Sequence, residues 1–234
     1  MSKKYINRLF DFTLEFTLKS KGAVLVEGPK WCGKSTTCKR FAREIVDLMP
    51  SKTRKQYILE AQIAPDFFLN SRAKPLLIDE WQHISFIWDQ IKVEVDNAGL
   101  FGQFILTGSV TDINVNDDEY KQRHTGNGRI VRKKMRTMSL YESGESNGAV
   151  SINDLKNGVF KIARSSVLLQ DYAFCICRGG WPMSINQPED IALVQARDYY
   201  EVLVSDDIFS LKNIPLIKDE AKARKMLRSY ARNV

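Results

Sequence analysis

Long apolar runs are missing from this sequence. No stretch reaches the roughly 18 apolar residues that a membrane-spanning helix needs. Behind Met1-Ser2-Lys3-Lys4-Tyr5 there is no apolar segment of the secretory kind. Cysteine and histidine are scarce, at four and two of 234 residues. Cys32, Cys38, Cys175 and Cys177 have no metal-site spacing, and the last two form C-x-C rather than C-x-x-C. A disulfide scaffold and a zinc module are thereby excluded. The thiols read as small buried hydrophobes of a reducing, cytoplasmic protein. There is also no internal repeat and no low-complexity tract.

What is present is organised around Gly28-Pro29-Lys30-Trp31-Cys32-Gly33-Lys34-Ser35-Thr36, which reads G-x-x-x-x-G-K-S. Ala23 to Glu27 before it is a short apolar run suited to a buried parallel strand. After it, Thr37 to Met49 carries Cys38, Phe41, Ala42, Ile45 and Met49 at helical spacing, so one helix is expected there, ended by Pro50. Glycines let the loop backbone turn its N–H groups onto a phosphate, and the helix N-terminus adds its dipole. Gly28 to Thr36 are therefore the candidate nucleotide-binding residues. Lys34 supplies a point charge at the β- and γ-phosphates, and Ser35 a hydroxyl ligand for Mg²⁺.

Pro75-Leu76-Leu77-Ile78-Asp79-Glu80 is an apolar strand ending in two carboxylates, the Walker B pattern. A strand delivers its last side chains to the carboxyl edge of an open α/β sheet, where ligands bind. Asp79 is the expected second Mg²⁺ holder, and Glu80 the residue that orients and activates water. Gly102 to Ser109 forms the next strand and ends in Thr107 and Ser109, small polar groups suited to a γ-phosphate or the attacking water. Arg129 follows Gly126 and Gly128 and is the candidate arginine finger, reaching a neighbouring subunit.

Other elements are expected from pattern. Tyr5 to Leu18 reads as a helix. Tyr5 and Arg8 lie where an entry segment can pass a base, although ordinary packing is the stronger expectation. Gln56 to Leu59 reads as a strand, and Gln62 to Ser71 as irregular. Ile84, Ile87, Trp88, Ile91 and Val95 mark an amphipathic helix ending by Gly99. Val110 to Gln122 reads as a surface loop. Ser139 to Glu142 is S-x-x-E, a capping box. Helices are expected over Ser166–Arg178, Pro188–Leu203 and Lys218–Asn233. The net charge of +7 points to an anionic partner. ATP accounts for part of it, and a nucleic acid on the basic segment 121–136 is the other candidate.

With these residues placed, the chain resembles the prokaryotic AAA-type ATPases of the extended P-loop (ASCE) class that carry an uncharacterised nuclease-like C-terminal domain. The matching stretches are GAVLVEGPKWCGKSTT, PLLIDEWQ, IWDQIKVEVDNAGLFGQFILTGS, RHTGNGRIVRKKMRTMSLYESG and RGGWP. The resemblance implies an α/β P-loop fold, a parallel sheet with flanking helices, its sensor strand between the Walker A and Walker B strands. It implies a small helical lid, and further domains beyond Val234, so the chain is expected to be a shortened form. The domains expected are an ATPase core over 1–145 and a helical region over 146–234. The function expected is slow ATP hydrolysis with Mg²⁺, gating an attached domain or partner, in a cytoplasmic protein that forms homo-oligomers. A nucleotide-held interaction switch with negligible turnover is the alternative. A small-acceptor transferase ranks third, because Glu80 suits water activation.

Overall fold

The computed structural model describes residues 5–109, 128–207 and 219–233. Five parallel strands form one sheet: β1 (Ala23–Gly28), β2 (Glu44–Asp47), β3 (Leu76–Asp79), β4 (Phe104–Ser109) and β5 (Ile130–Lys134), in the order β2-β3-β4-β1-β5. The strand that ends in Thr107 and Ser109 thus lies between the strand of the Gly-rich loop and the strand of Asp79. In register, Val26 faces Thr107 across β1 and β4, and Asp79 faces Thr107 across β3 and β4.

The strands are apolar at nearly every position because both faces are covered. Ala23 and Leu25 of β1 pack with Leu76, Ile78, Phe104 and Leu106 on one face. Val24 and Val26 pack with Leu77 and Ile105 on the other. The first face is covered by α3 (Ser51–Ile63), α4 (Pro65–Asn70), a 3₁₀ segment (Trp81–Ile87) and α5 (Trp88–Ala98), through Ala61, Phe68, Trp81, Trp88 and Ile91. The second is covered by α1 (Leu9–Leu18) and α2 (Lys34–Phe41), through Leu14 and Cys38. Beyond the sheet come α6 (Ile152–Lys156), α7 (Leu169–Arg178), α8 (Glu189–Val202) and α9 (Glu220–Arg232).

Four local expectations are corrected. The helix after the Gly-rich loop stops at Phe41 rather than running to Met49, and Glu44–Asp47 is a strand. Those four residues pair with β3, with Ile45 opposite Leu77, and sheet hydrogen bonds override the helical spacing. Gln56 to Leu59 is not a strand but the middle of α3, whose start is set by Pro50 at the N-cap. Residues 65–70, expected to be irregular, form α4 with Pro65 at its first turn. The helix expected from Tyr5 begins at Leu9. α5 stops at Gly99, and Ser139 and Glu142 make the reciprocal hydrogen bonds of a capping box. The loop expected over Val110–Gln122, and Gly126, lie outside the described residues.

The C-terminal helices meet the sheet unit through a few defined contacts. The Met138 N–H donates to the Gly180 carbonyl at 2.7 Å. Arg178, 5% exposed, pairs with Glu145 at 2.6 Å. In α9, Ala223 is buried while Met226 and Tyr230 are exposed. Among the described residues no helix is long and apolar enough to cross a membrane.

Candidate nucleotide site

At the carboxyl end of β1 the chain leaves Gly28, rounds the loop and enters α2 at Lys34. Gly33, the N-cap of α2, has φ 100°, a left-handed backbone that only glycine adopts without strain. Gly28 is needed for another reason. A Cβ there would lie 2.3 Å from the Met135 carbonyl oxygen, which packs against the loop. Arg8 holds this arrangement from behind. Its guanidinium donates to the carbonyls of Cys32 at 2.7 Å and Arg136 at 2.8 Å, and to the Glu142 carboxylate at 3.0 Å. Arg8 therefore buttresses the loop, as ordinary packing would have it. Tyr5 donates to Asp11 at 2.6 Å and lies 2.8 Å from the Thr37 hydroxyl.

Lys34 is buried and its Nζ donates to the carbonyls of Gly28 at 2.8 Å and Pro29 at 2.9 Å. The Ser35 hydroxyl donates to Asp79 Oδ1 at 2.8 Å. The Thr107 hydroxyl donates to the same oxygen, and the Glu80 N–H donates to Thr107 Oγ1 at 3.3 Å. Lys39 Nζ stands 3.7 Å from Asp79 Oδ2. The fold thus brings together four residues read as functional: Lys34 and Ser35 on the loop and α2, Asp79 on β3, and Thr107 on β4. Asp79, 2% exposed, with the Ser35 hydroxyl alongside, offers hard oxygen donors of the kind Mg²⁺ prefers. Among the described residues no cluster of three or more His, Cys, Asp or Glu could hold a metal by itself. A cation here would take its remaining ligands from water or phosphate, as Mg²⁺ commonly does.

Glu80 follows β3 in a left-handed conformation (φ 60°, ψ 50°), and its carboxylate accepts from Gln82 Nε2 at 2.6 Å. Ser109 ends β4 opposite Gly28 in register. Burial pushes the thiols of Cys32 and Cys38 above the ordinary range, so both remain neutral fillers beside the loop. All four cysteines are free.

The loop opens into a cleft of about 860 Å³. One wall carries Lys30, Trp31, Gly33 to Thr36, Met49, Glu80, Gln82 and His83. The other comes from the turn after α7 and from α8: Trp181, Pro182, Met183, Ser184, Gln195, Asp198 and Tyr199. The Ser184 hydroxyl, buried, donates to Gln195 Oε1 at 3.0 Å. This second wall was missed by the motif reading of the site. Its only sequence signal is the Gly179-Gly180-Trp181-Pro182 stretch.

Arg129 does not join this group. Its carbonyl accepts from the Ala23 N–H at the amino end of β1, and Ile130 faces Ala23 in register. It therefore sits about 17 Å from Gly28, at about 3.3 Å per residue. Its guanidinium pairs with Asp96 at 2.6 Å. Of the basic segment, residues 121–127 lie outside the described residues, and Arg132 stands 3.4 Å from Glu27. These contacts give a nucleic-acid interface no support.

A family model described as an AAA domain matches residues 20–143, more than half of the chain. The sequence matches no curated protein. Among solved structures, the chain is similar to that of C. elegans PCH-2 at 12% identity and a TM-score of 0.41. The similarity covers 76% of this chain and 61% of that one, so the chain spans less than two thirds of that structure's length.

Proposed function

This chain belongs to the AAA-domain family of P-loop ATPases, and from that premise we propose that it binds Mg-ATP in the cleft and hydrolyses it slowly. The observation that carries the reading is the buried Asp79 carboxylate, which accepts from both Ser35 and Thr107 beneath the Gly-rich loop. Ordinary packing has no use for an anion, two hydroxyls and a buried lysine at the mouth of one loop; a triphosphate does. Backbone N–H groups over Gly28 to Thr36 cradle the phosphates. Lys34 leaves the Gly28 and Pro29 carbonyls for the phosphate oxygens. Ser35 and Asp79 would hold Mg²⁺, which would supply positive charge to the phosphates. Glu80 takes the proton of the attacking water, with Thr107 and Ser109 lining the approach. Residues 1–145 are the ATPase core, and 146–234 the helical region through which turnover would act on a partner. Arg129 acts in trans, in a homo-oligomer.

Phosphate release by wild type and Glu80→Gln tests this, with ATP-dependent melting shifts measured on both proteins. The amide keeps the shape and loses the base, so the shift is expected to persist while release falls. Equal release by the two proteins would remove Glu80 from the mechanism.

One observation favours a second reading. The Glu80 carboxylate lines the cleft, but one of its oxygens is engaged by the Gln82 amide at 2.6 Å. If that tie persists with ATP bound, the protein is a nucleotide-held switch with negligible turnover. A melting shift in wild type without phosphate release would select it.

A further inference from the structure

Three aromatic rings, one from the loop wall and two from the opposite wall, meet in the cleft and play no part in the phosphate chemistry. The Trp31 and Tyr199 rings lie with centroids 5.3 Å apart, and those of Trp181 and Tyr199 lie 4.2 Å apart. Trp31 stands in the Gly-rich loop at φ 63°, where a bulky residue is strained and glycine is not. Its side chain does not serve the core, since the residue is 60% exposed. A strained, exposed aromatic at the rim of a binding cleft is explained by a ligand that uses its face.

We infer that Trp31, backed by Tyr199 and Trp181, is the stacking platform for the base of the nucleoside triphosphate. The inference rests on the phosphate site proposed above and supplies the other end of the ligand. Every base has a π-face, so this platform selects nucleotides over bare polyphosphate and leaves the choice among bases open. It also joins the two halves of the chain. Trp31 belongs to the loop, whereas Trp181 and Tyr199 come from the turn after α7 and from α8. A base on this platform therefore touches both.

Calorimetric titration of the full chain with Mg-ATP and with Mg-tripolyphosphate tests the platform. Wild type is expected to bind ATP about 5- to 160-fold more tightly than tripolyphosphate, the range given by base–aromatic stacking. Trp31→Gly relieves the backbone strain, so its Tm is expected to stay level or rise. Its ATP affinity is expected to fall by that factor while tripolyphosphate affinity holds. Trp31→Phe should retain most of the ATP affinity. Wild-type ATP affinity in Trp31→Gly overturns the platform. Lys34→Ala, titrated alongside, should lose both ligands and so leaves the phosphate site standing in that case. A wild type that binds neither ligand overturns both proposals. Tryptophan emission gives a second readout that needs no variant. Trp81 and Trp88 are packed in the core at 5% and 2% exposure, so quenching reports on Trp31 and Trp181. ATP should quench and tripolyphosphate should not; bound ATP without quenching also overturns the platform.

Discussion

At the carboxyl end of the strands, Arg8, Lys34 and Asp79 are buried, and each has two or more partners. At the amino end, Arg129 stays partly exposed beside Asp96, and the half-buried Lys74 donates to the Leu69 carbonyl at 2.5 Å over the Phe104 ring. Taking a charge out of water costs several kcal/mol unless hydrogen bonds and counter-charges replace the lost solvent, on the order given for buried ions. The carboxyl end meets that requirement for three charges; at the amino end Glu94 is as deeply buried and is held by the Asn70 and Gln90 amides, while Arg129 and Lys74 keep part of their solvent. Preorganised charge on one edge of the sheet is what a site for a charged ligand demands.

The contrast is broken most severely at Arg8. Arg8→Ala leaves the Glu142 carboxylate, now without its ionic partner, and removes support from Cys32 and Arg136. A loss of about 3–5 kcal/mol in urea unfolding is expected, as for a severed buried pair. A loss under about 1 kcal/mol, the surface-pair range, would mean that the two ends differ less than their geometry implies. Next comes Lys34→Ala, which removes a charged donor worth about 1.5–3 kcal/mol to the phosphates. The ATP-dependent rise in Tm should vanish or nearly so, because linkage converts lost affinity directly into lost shift. An unchanged shift would remove the Gly-rich loop from nucleotide binding.

How much of this was legible in the sequence follows the same division. The strands ending at Gly28, Asp79 and Ser109 are apolar, short and punctuated, and the motif spacing alone singles out Lys34, Ser35 and Asp79. β2 was not legible. Glu44-Ile45-Val46-Asp47 has two apolar residues between two charges, and only its pairing with β3 makes it a strand. Tyr57-Ile58 has strand-like composition, but only Ala61 of α3 is fully buried, so little periodicity marks the helix. The facing of Trp181 and Tyr199 onto the loop escaped because 150 and 168 residues separate them from Trp31. No local pattern encodes such a meeting; the fold alone supplies it.

Two pH measurements sharpen the comparison further. Burial pushes the Glu142 carboxyl up, but the N–H groups of Ser139 and Leu9 and the Arg8 guanidinium outweigh it and hold it below the ordinary 4.5. A depressed carboxyl contributes stability that is present above pH 4.5 and is lost as pH falls through its folded value. The gap between wild type and Glu142→Gln in urea midpoint should therefore narrow below pH 4.5. Lys74 has the opposite sign. Burial lowers it from 10.5 to about 8, against the pull of Glu94 and Glu44. Between those values the unfolded chain holds the proton more tightly, so stability should rise from pH 8 towards 10.5. Lys74→Met should abolish that rise. A slope unchanged in the variant would assign it to another group.

The smallest expected effect on the fold belongs to Arg129, and it decides whether the amino end has a use. Its pair with Asp96 is exposed, so Arg129→Ala should leave Tm unchanged. Its distance from Gly28 excludes a role in its own site, so nucleotide affinity should not move either. β5 is an edge strand of the described sheet, and Arg129 immediately precedes it. If it acts on a second copy, Arg129→Ala lowers phosphate release only in the assembled state, by stripping the neighbour's transition state of a positive charge. Mixing Arg129→Ala with Glu80→Gln subunits separates the cases. Trans action regenerates some interfaces that hold both groups, and activity partly returns. Light scattering on the same samples supplies the control: full activity in a strictly monomeric protein would leave Arg129 as a surface residue tied to Asp96. In that case the chemistry would lie wholly at the carboxyl end.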